Sequence, residues 1–287
     1  MGKEEFPLVS IIIPTLNASG MLKGCLESIA QQTYPNIEVI GVDANSRDDT
    51  AEMFKQHGRV FVFELRPDMV WGTPYQQNFG ATQANGKYLY FVDADMVLPP
   101  DVIENYVRQM EAEGAHSMVI PEISFGEGFW ARCKVLERSC YLLGDPLMEA
   151  PRFHMKTVWD KLEGLDPKMG SEYDQDIHMR LLQSGYKVTR SDRAVYHNEG
   201  SLSLGKLIQK RFVYGKTLKY YLRRHGRNMK IYTNQLTMLR PVYFRNWKQL
   251  IKDPVHLAGF GIMKTVEAMA FFGGFIRSNP LSLRCPE

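Results

Sequence analysis

Short apolar runs alternate with helical-period stretches through the first hundred residues. Leu8-Val-Ser-Ile-Ile-Ile13 is β-branched, carries no charge and stops at Pro14, which predicts a strand buried on both faces. Leu22, Leu26 and Ile29 then recur at helical spacing, predicting a helix over about 20–32. Ile37–Val42 predicts a second strand ending at Asp43, 48–57 a helix, and Val60–Leu65 a third strand. A helix over 74–85 closes at Asn85-Gly86, and a fourth strand, Tyr88–Val92, runs into Asp93-Ala-Asp95. Pro99-Pro100-Asp101 opens a further helix to about 113. Beyond it the pattern predicts a strand near 117–123 and a helix near 127–143. A helix near 174–184 and a strand near 187–196 follow.

Repeated strand–helix units imply an α/β fold, a mostly parallel sheet with helices on both faces. Ligands of such sheets bind beyond the carboxyl ends of the strands. Pro14–Asn17, Asp43 and Asp93/Asp95 all fall at such ends.

Composition changes this picture mainly in the last third. The chain has 287 residues, 44% of them hydrophobic and 23% charged, which excludes disordered and collagen-like chains. Its net charge of +3 conceals an uneven distribution. Residues 201–252 hold 13 of the 35 Lys and Arg and no Asp or Glu, leaving 22 basic against 32 acidic residues elsewhere. A segment of that kind is expected to meet an anion, whether lipid, phosphorylated substrate or nucleic acid. No run of about 20 apolar residues lacks charge, so no spanning helix is expected, and the N-terminus shows no signal-peptide pattern. The cysteines at 25, 133, 140 and 285 form no C-x-x-C pair, which indicates neither a zinc site nor a disulfide framework and fits a reducing cytosol.

Several carboxylates stand where chemistry is expected. In a strand, residues i and i+2 point the same way, so Asp93 and Asp95 are expected to converge on one spot. Oxygen pairs of this kind suit Mg²⁺ or Mn²⁺ held against a diphosphate. Asp43 is expected to accept a hydrogen bond from a base N–H, while Ser46 or Asp48 caps the following helix. Glu172, Asp174 and Asp176 cluster before a helix, where the dipole favours ionised acids and one of them can act as a general base. His197 ends the strand that starts at Lys187.

These pieces in this order resemble the family 2 glycosyltransferases of the GT-A fold. The resemblance is carried by Val9-Ser-Ile-Ile-Ile-Pro-Thr-Leu-Asn17, Leu26–Ile40, Val42-Asp-Ala-Asn-Ser-Arg-Asp-Asp-Thr50 and Asn78–Asp95. It is continuous over about 1–110 and looser over 110–200. There Gly164–Asp176 looks like the family's glycine loop and acidic motif, and Ala194-Val-Tyr-His197 like the segment ending in its metal histidine. The resemblance implies a GT-A catalytic domain over 1–200, with 1–110 as the nucleotide-sugar half and 111–200 as the acceptor and catalytic half. The implied donor is a UDP- or GDP-sugar, with hexosyl transfer expected. Pro14, Thr15, Asn17 and Asp43 would line the nucleoside site and Asp93 the ribose or base region. Asp95 and His197 would hold Mn²⁺ or Mg²⁺, and Asp174 would be the base of an inverting single displacement. Two departures stand out: Tyr173-Asp174 replaces the usual Glu-Asp, which leaves Glu172 and Asp176 as competitors, and Gln77 replaces a common Arg.

Residues 201–287 are read as a basic and amphipathic helical, membrane-associating region. In 203–230, Leu and Phe residues alternate with cations that include Lys210, Arg211, Arg227 and Lys230. Lys210 and Arg211 are candidates for holding an acceptor phosphate. Residues 257–276 have the length to cross a bilayer. Lys264 and Glu267 near the middle favour an in-plane helix or a hairpin, with packing on the protein as the alternative. The expected acceptor is lipid-linked, a polyprenyl phosphate or a lipid-linked saccharide, and the expected location is the cytoplasmic face of an anionic membrane. A soluble transferase with a water-soluble acceptor is the rival. A sugar-phosphate nucleotidyltransferase would need a Gly-rich loop, and residues 8–20 hold only Gly20. A nucleic-acid-binding role, which the acidic remainder opposes, is not expected.

Overall fold

A computed structural model describes residues 6–66, 69, 72–142, 144, 149–225 and 241–278. The fold is mixed α/β with a mostly parallel central sheet. The strands are β1 (Val9–Thr15), β2 (Ile37–Asp43), β3 (Arg59–Val62), β4 (Tyr88–Phe91), β5 (Met96–Val97), β6 (Ser117–Val119), β7 (Glu122–Glu127), β8 (Pro151–Met155), β9 (Val188–Arg190) and β10 (Val195–Ser201). The helices are α1 (Ser19–Ala30), α2 (Thr50–Met53), α3 (Gly72–Gln83), α4 (Val102–Glu113), α5 (Phe129–Ser139), α6 (Lys156–Lys161), α7 (Tyr173–Gln183) and α8 (Leu204–His225). Three more follow, α9 (Pro241–Arg245), α10 (Trp247–Leu250) and α11 (Pro254–Arg277).

The seven-stranded sheet has the order β3-β2-β1-β4-β8-β6-β9, and a second sheet has the order β5-β10-β7. β1 runs parallel to both β2 and β4, with Thr15 opposite Asp43 and Ile12 opposite Phe91. Burial on both faces explains the unbroken apolar run of β1. Ile11 and Ile13 join the core that holds Leu22, Leu26, Ile103 and Tyr106, while Ile12 packs on Gly80 of α3.

The pattern misses two strands and merges two pairs; the strand expected near 117–123 is β6 and the start of β7, which lie in different sheets. β8 lies antiparallel between β4 and β6, although Pro151-Arg-Phe-His-Met155 carries no periodic signal. β5 has only two residues. The single strand expected over 187–196 is two strands in different sheets, β9 and β10. The helix expected over 48–57 is one turn of α2 followed by a 3-10 turn, Phe54–Gln56. The helix expected over 127–143 stops at Ser139.

The chain forms two compact units that interleave in sequence. The first contains residues 1–122, 150–167 and 177–197, and the second 123–149, 168–176 and 198–287. The basic, aromatic last third therefore folds together with α5 and the 168–176 loop.

Within the second unit α11 is one continuous helix, so the hairpin alternative for 257–276 is not what forms. Asp253 starts it: its side chain accepts from the backbone N–H of His256 at 3.1 Å, and Pro254 occupies the first turn. Two glycines let it pack against α8. A Cβ on Gly274 would collide with the Phe212 carbonyl of α8, and one on Gly215 of α8 with the Phe271 carbonyl. The two backbones can approach closely only because both positions lack a side chain.

The same packing turns Lys264 and Glu267 of α11 inward. Lys264 donates to Glu137 of α5 at 3.0 Å and pairs with Glu267, while Lys134 donates to Glu137 at 2.8 Å. Tyr243 Oη donates to Glu137 at 2.9 Å, and Arg211 of α8 lies 3.4 Å from Glu267. Burial pushes the Lys134 ammonium down, and although Glu137 and Glu267 oppose this, its pKa falls to about 8. Burial alone would raise the Glu267 pKa, but the charges of Lys134 and Arg211 outweigh it and hold the carboxyl below its usual range.

Candidate active site

The carboxyl ends of β1 and β2 carry one hydrogen-bonded network. Thr15 Oγ1 donates to Asp43 Oδ1 at 3.0 Å, Ser46 Oγ donates to the same oxygen at 2.5 Å, and the Ser46 N–H donates to Oδ2 at 2.8 Å. Asn17 and Asn45 sit at φ of 50° and 59°, a region Asn tolerates better than bulkier residues. Asn17 accepts from the Arg47 N–H at 2.9 Å, and its own N–H donates to Ser46 at 2.7 Å. Buried Gln76, from α3, donates to the carbonyls of Thr15 (2.9 Å) and Val42 (2.7 Å) and fixes the two strand ends. Asp43 is only 1% exposed, and its carboxylate holds the loop together. Pro14 is partly exposed and Asn17 exposed. Gln77 is buried.

The second cluster lies where β4 ends. Asp93 and Asp95 occupy the turn between β4 and β5, not a strand, so the i, i+2 argument for a shared direction does not apply. They take different partners: Arg152 Nη1 lies 3.0 Å from Asp93 Oδ2, and His197 Nε2 lies 3.3 Å from Asp95 Oδ2. β5 pairs antiparallel with β10, placing His197 opposite Met96, and this pairing brings His197 beside Asp95.

Glu122 completes the cluster. Its Oε1 accepts from Arg152 Nε at 2.9 Å, and its Oε2 lies 2.9 Å from His197 Nδ1. A carboxylate there requires a proton on Nδ1, so Glu122 fixes the ring with Nε2 toward Asp95. Burial works against the imidazolium, but the hydrogen bonds to Asp95 and Glu122 and their charges outweigh it, raising the His197 pKa to about 10. The site therefore favours a positive charge between its carboxylates.

Asp95 Oδ1 is buried with no hydrogen-bond partner. An orphaned carboxylate oxygen beside an imidazole whose other nitrogen is held by a carboxylate is a donor set that fits a divalent cation. Among the described residues no group of three or more His, Cys, Asp and Glu is arranged to hold a metal. Asp95 and His197 would thus be two ligands, with phosphate oxygens and water supplying the others.

Arg152 and Glu122 escape a sequence reading. The signal, in retrospect, is a charge directly beside buried apolar residues: Arg152 before Phe153 in β8, and Glu122 after Ile120-Pro121.

The acidic loop belongs to the second unit, and its three carboxylates differ in exposure. Asp176 is fully buried, with His225 Nε2 at 2.8 Å and Arg224 Nε at 3.4 Å. Glu172 is buried and accepts from Thr217 Oγ1 at 3.2 Å. Asp174, in the first turn of α7, is partly exposed. Arg211 is engaged with Glu267, whereas Lys210 is exposed, 5.7 Å from the Tyr214 ring. Arg227, Lys230 and Cys285 lie outside the described residues; Cys25, Cys133 and Cys140 are free and buried.

The profile of glycosyl transferase family 2 matches residues 10–160, just over half of the chain. The chain belongs to this family. As a family 2 glycosyltransferase it is 33% identical over 116 residues to the glycosyltransferase GlyG of Streptococcus pneumoniae, covering 39% of this chain and 38% of GlyG. It is 32% identical over 106 residues to WfaP of Escherichia coli, covering 37% of this chain and 42% of that protein. WfaP is a UDP-Glc:α-D-GlcNAc-diphosphoundecaprenol β-1,3-glucosyltransferase. The matched stretch thus spans about two fifths of each relative.

Solved structures share the fold over nearly the whole glycosyltransferase. The mannosyltransferase PcManGT of Pyrobaculum calidifontis, in complex with GDP-Man and Mn²⁺, aligns with a TM-score of 0.57 and 17% identity, over 97% of this chain and 78% of that one. TarS 1–349 of Staphylococcus aureus, in complex with UDP, aligns with a TM-score of 0.53 and 15% identity, over 94% of this chain and 90% of that one.

Proposed function

We propose that this glycosyltransferase moves a sugar from a nucleoside-diphosphate sugar to a lipid-linked acceptor at an anionic membrane surface, with inversion at the anomeric carbon. The observation that carries the donor half is the orphaned Asp95 Oδ1 beside His197, whose Nδ1 is held by Glu122. Pro14, Thr15 and Asn17 line the nucleoside end, with Asp43 shaping that loop from beneath. Asp93, steered by Arg152, faces the ribose or base region. Asp95 and His197 would hold Mn²⁺ or Mg²⁺, imidazole making Mn²⁺ at least as suitable, and the ion would supply charge to offset that of a diphosphate leaving group.

Asp174 is the base in this reading. Of the three loop carboxylates it is the one left partly exposed, in the first turn of a helix whose dipole favours an acid there. It takes the proton of an acceptor hydroxyl as that oxygen bonds to the anomeric carbon. The bond to the donor diphosphate breaks, and the nucleoside diphosphate leaves with the electron pair. An acceptor phosphate would already be ionised and would not need the base. Asp174→Asn therefore separates the two acceptor classes: near-complete loss of transfer for a lipid-linked saccharide, little change for a polyprenyl phosphate.

WfaP supports the lipid-linked acceptor by its own substrate. The uninterrupted basic composition of 201–252 supports an anionic surface. The experiment is a thermal-shift panel of UDP-, GDP- and dTDP-sugars with and without Mn²⁺, followed by product analysis with membrane extracts. One nucleotide should stabilise the protein more in the presence of Mn²⁺. Equal stabilisation with and without the ion, at saturating donor, removes the cation from the proposal. Transfer to a water-soluble acceptor alone, with no lipid product, establishes the soluble rival.

A further inference from the structure

The outward face of α11 is a continuous uncharged stripe. Val255, Ala258, Ile262, Thr265, Met269, Phe272 and Ile276 are exposed, and they recur at alternating spacings of three and four. Val255, Ile262, Met269, Phe272 and Ile276 are each more than half exposed. The charged residues between Pro254 and Ile276 are Lys264 and Glu267, and both are buried and paired within the second unit. Burying that pair inside the protein strips the outer face of charge along its length.

The ends of the stripe are cationic. Before it, exposed Phe244, Trp247 and Ile251 interleave with exposed Arg245, Lys248 and Lys252. After it stands exposed Arg277. Asp253, the carboxylate at the start of α11, is engaged by His256 at 2.6 Å.

We infer that this face is the seat of the protein on an anionic bilayer, with α11 lying in the interface plane. The inference rests on the membrane-surface reading above and names the residues that would make it. Two arguments choose the occupant. An apolar strip ended by cations and an aromatic ring is complementary to acyl chains bordered by anionic headgroups. The alternative occupant, a second copy of the chain, is short of area. A helix of this length is about 36 Å long and about 10 Å across, so the strip offers roughly 360 Å². A stable protein interface needs about 800 Å² per partner. By length and composition α11 is able to cross a membrane. Crossing would require pulling Lys264 from Glu137 and Glu267 from Arg211 into lipid, which the in-plane arrangement avoids.

The test is flotation of the full chain with phosphatidylcholine vesicles, with and without phosphatidylglycerol, in the absence of donor and acceptor. The wild type is expected to float with the anionic vesicles. Ile262→Asp with Met269→Asp is expected to weaken that binding by about tenfold or more, since each side chain forfeits its burial in lipid. Val62→Asp, an exposed apolar position in β3, is expected to change nothing. If the double variant does not fold, Ile276→Asp in the last turn of α11 takes its place. Flotation of the α11 variants at the wild-type level overturns the inference. So does a lipid-free dimer that they dissociate, which would assign the face to a second copy. Donor affinity is measured on the same variants; its retention while flotation is lost separates the seat from the transfer reaction.

Discussion

Among the described residues, each unit contains a network that joins five charged side chains, and the two are built differently. In the first, Asp93, Arg152, Glu122, His197 and Asp95 form a chain with three acids and two bases. It is partly open to solvent, and Asp95 Oδ1 is left without a partner. In the second, Lys134, Glu137, Lys264, Glu267 and Arg211 carry three bases and two acids. Four of them are less than a tenth exposed, and every carboxylate accepts from more than one cation or hydroxyl. A closed, saturated network fixes helices; the open one, on the function proposed above, leaves a position for a ligand. The contrast predicts that damage to the second costs stability and damage to the first costs chemistry.

The largest effect should come from breaking the closed network. Glu137→Ala leaves Lys134 and Lys264 buried without their shared acceptor and should lower stability by about 3–5 kcal/mol in urea unfolding. Replacing Lys134, Glu137, Lys264 and Glu267 together by apolar residues of similar volume should be close to neutral. Equal destabilisation by both would show that the charges themselves hold the helices.

Next in size is the open network. Asp95→Asn should lower transfer by about 10²–10³-fold while thermal stability stays near wild type, because the residue is partly exposed and its Oδ1 takes no hydrogen bond that the fold would lose. A loss of stability matching that of Glu137→Ala would erase the distinction between the two regions.

Glu122→Gln sharpens the comparison within the open site. It keeps an oxygen for only one of Arg152 and His197, turns an NH2 toward the other, and removes the charge that fixes the ring. Mn²⁺ affinity in the presence of nucleoside diphosphate, read by electron paramagnetic resonance, should fall by about 10–100-fold. Unchanged affinity would make Glu122 a structural partner only.

The smallest effect concerns a buried group outside both networks. His154 accepts from Ser117 at 3.0 Å through Nδ1 and donates to the Pro151 carbonyl at 3.1 Å, and burial lowers its pKa from 6.5 to about 3. Between about pH 3 and 6.5 the unfolded chain binds a proton that the folded chain refuses, so this group makes stability rise with pH across that window. His154→Asn should flatten the stability–pH slope by at most about 1.4 kcal/mol per pH unit. An unaltered slope would mean that His154 is protonated in the folded protein.

Much of the first unit is legible along the chain. β1, β2 and β4 announce themselves because a parallel strand buried on both faces must be apolar throughout, and Asp43 and Asp95 fall at or just beyond their ends. The residues that organise the site are less visible. Arg152 sits in β8, whose five residues include a proline, an arginine and a histidine, and Glu122 opens a strand that ends in Gly-Glu. β8 has no period that marks it, and the alternation of β7 places Ile123 and Phe125 on its exposed side.

The sequence alone determined the α/β order, the carboxylates beyond the strand ends, the family and the basic character of the last third. These depend on local periodicity and on residue types at fixed spacing, which do not need a folded chain to be read. Tertiary structure decided that His197 meets Asp95, that Glu122 and Arg152 brace them, that Asp43 and Asp176 are buried in their own networks, and which side of α11 faces out. The physical reason is that these depend on pairing between distant segments. A helix apolar on most of its surface has no preferred inside until α5 and α8 supply the partners for Lys264 and Glu267.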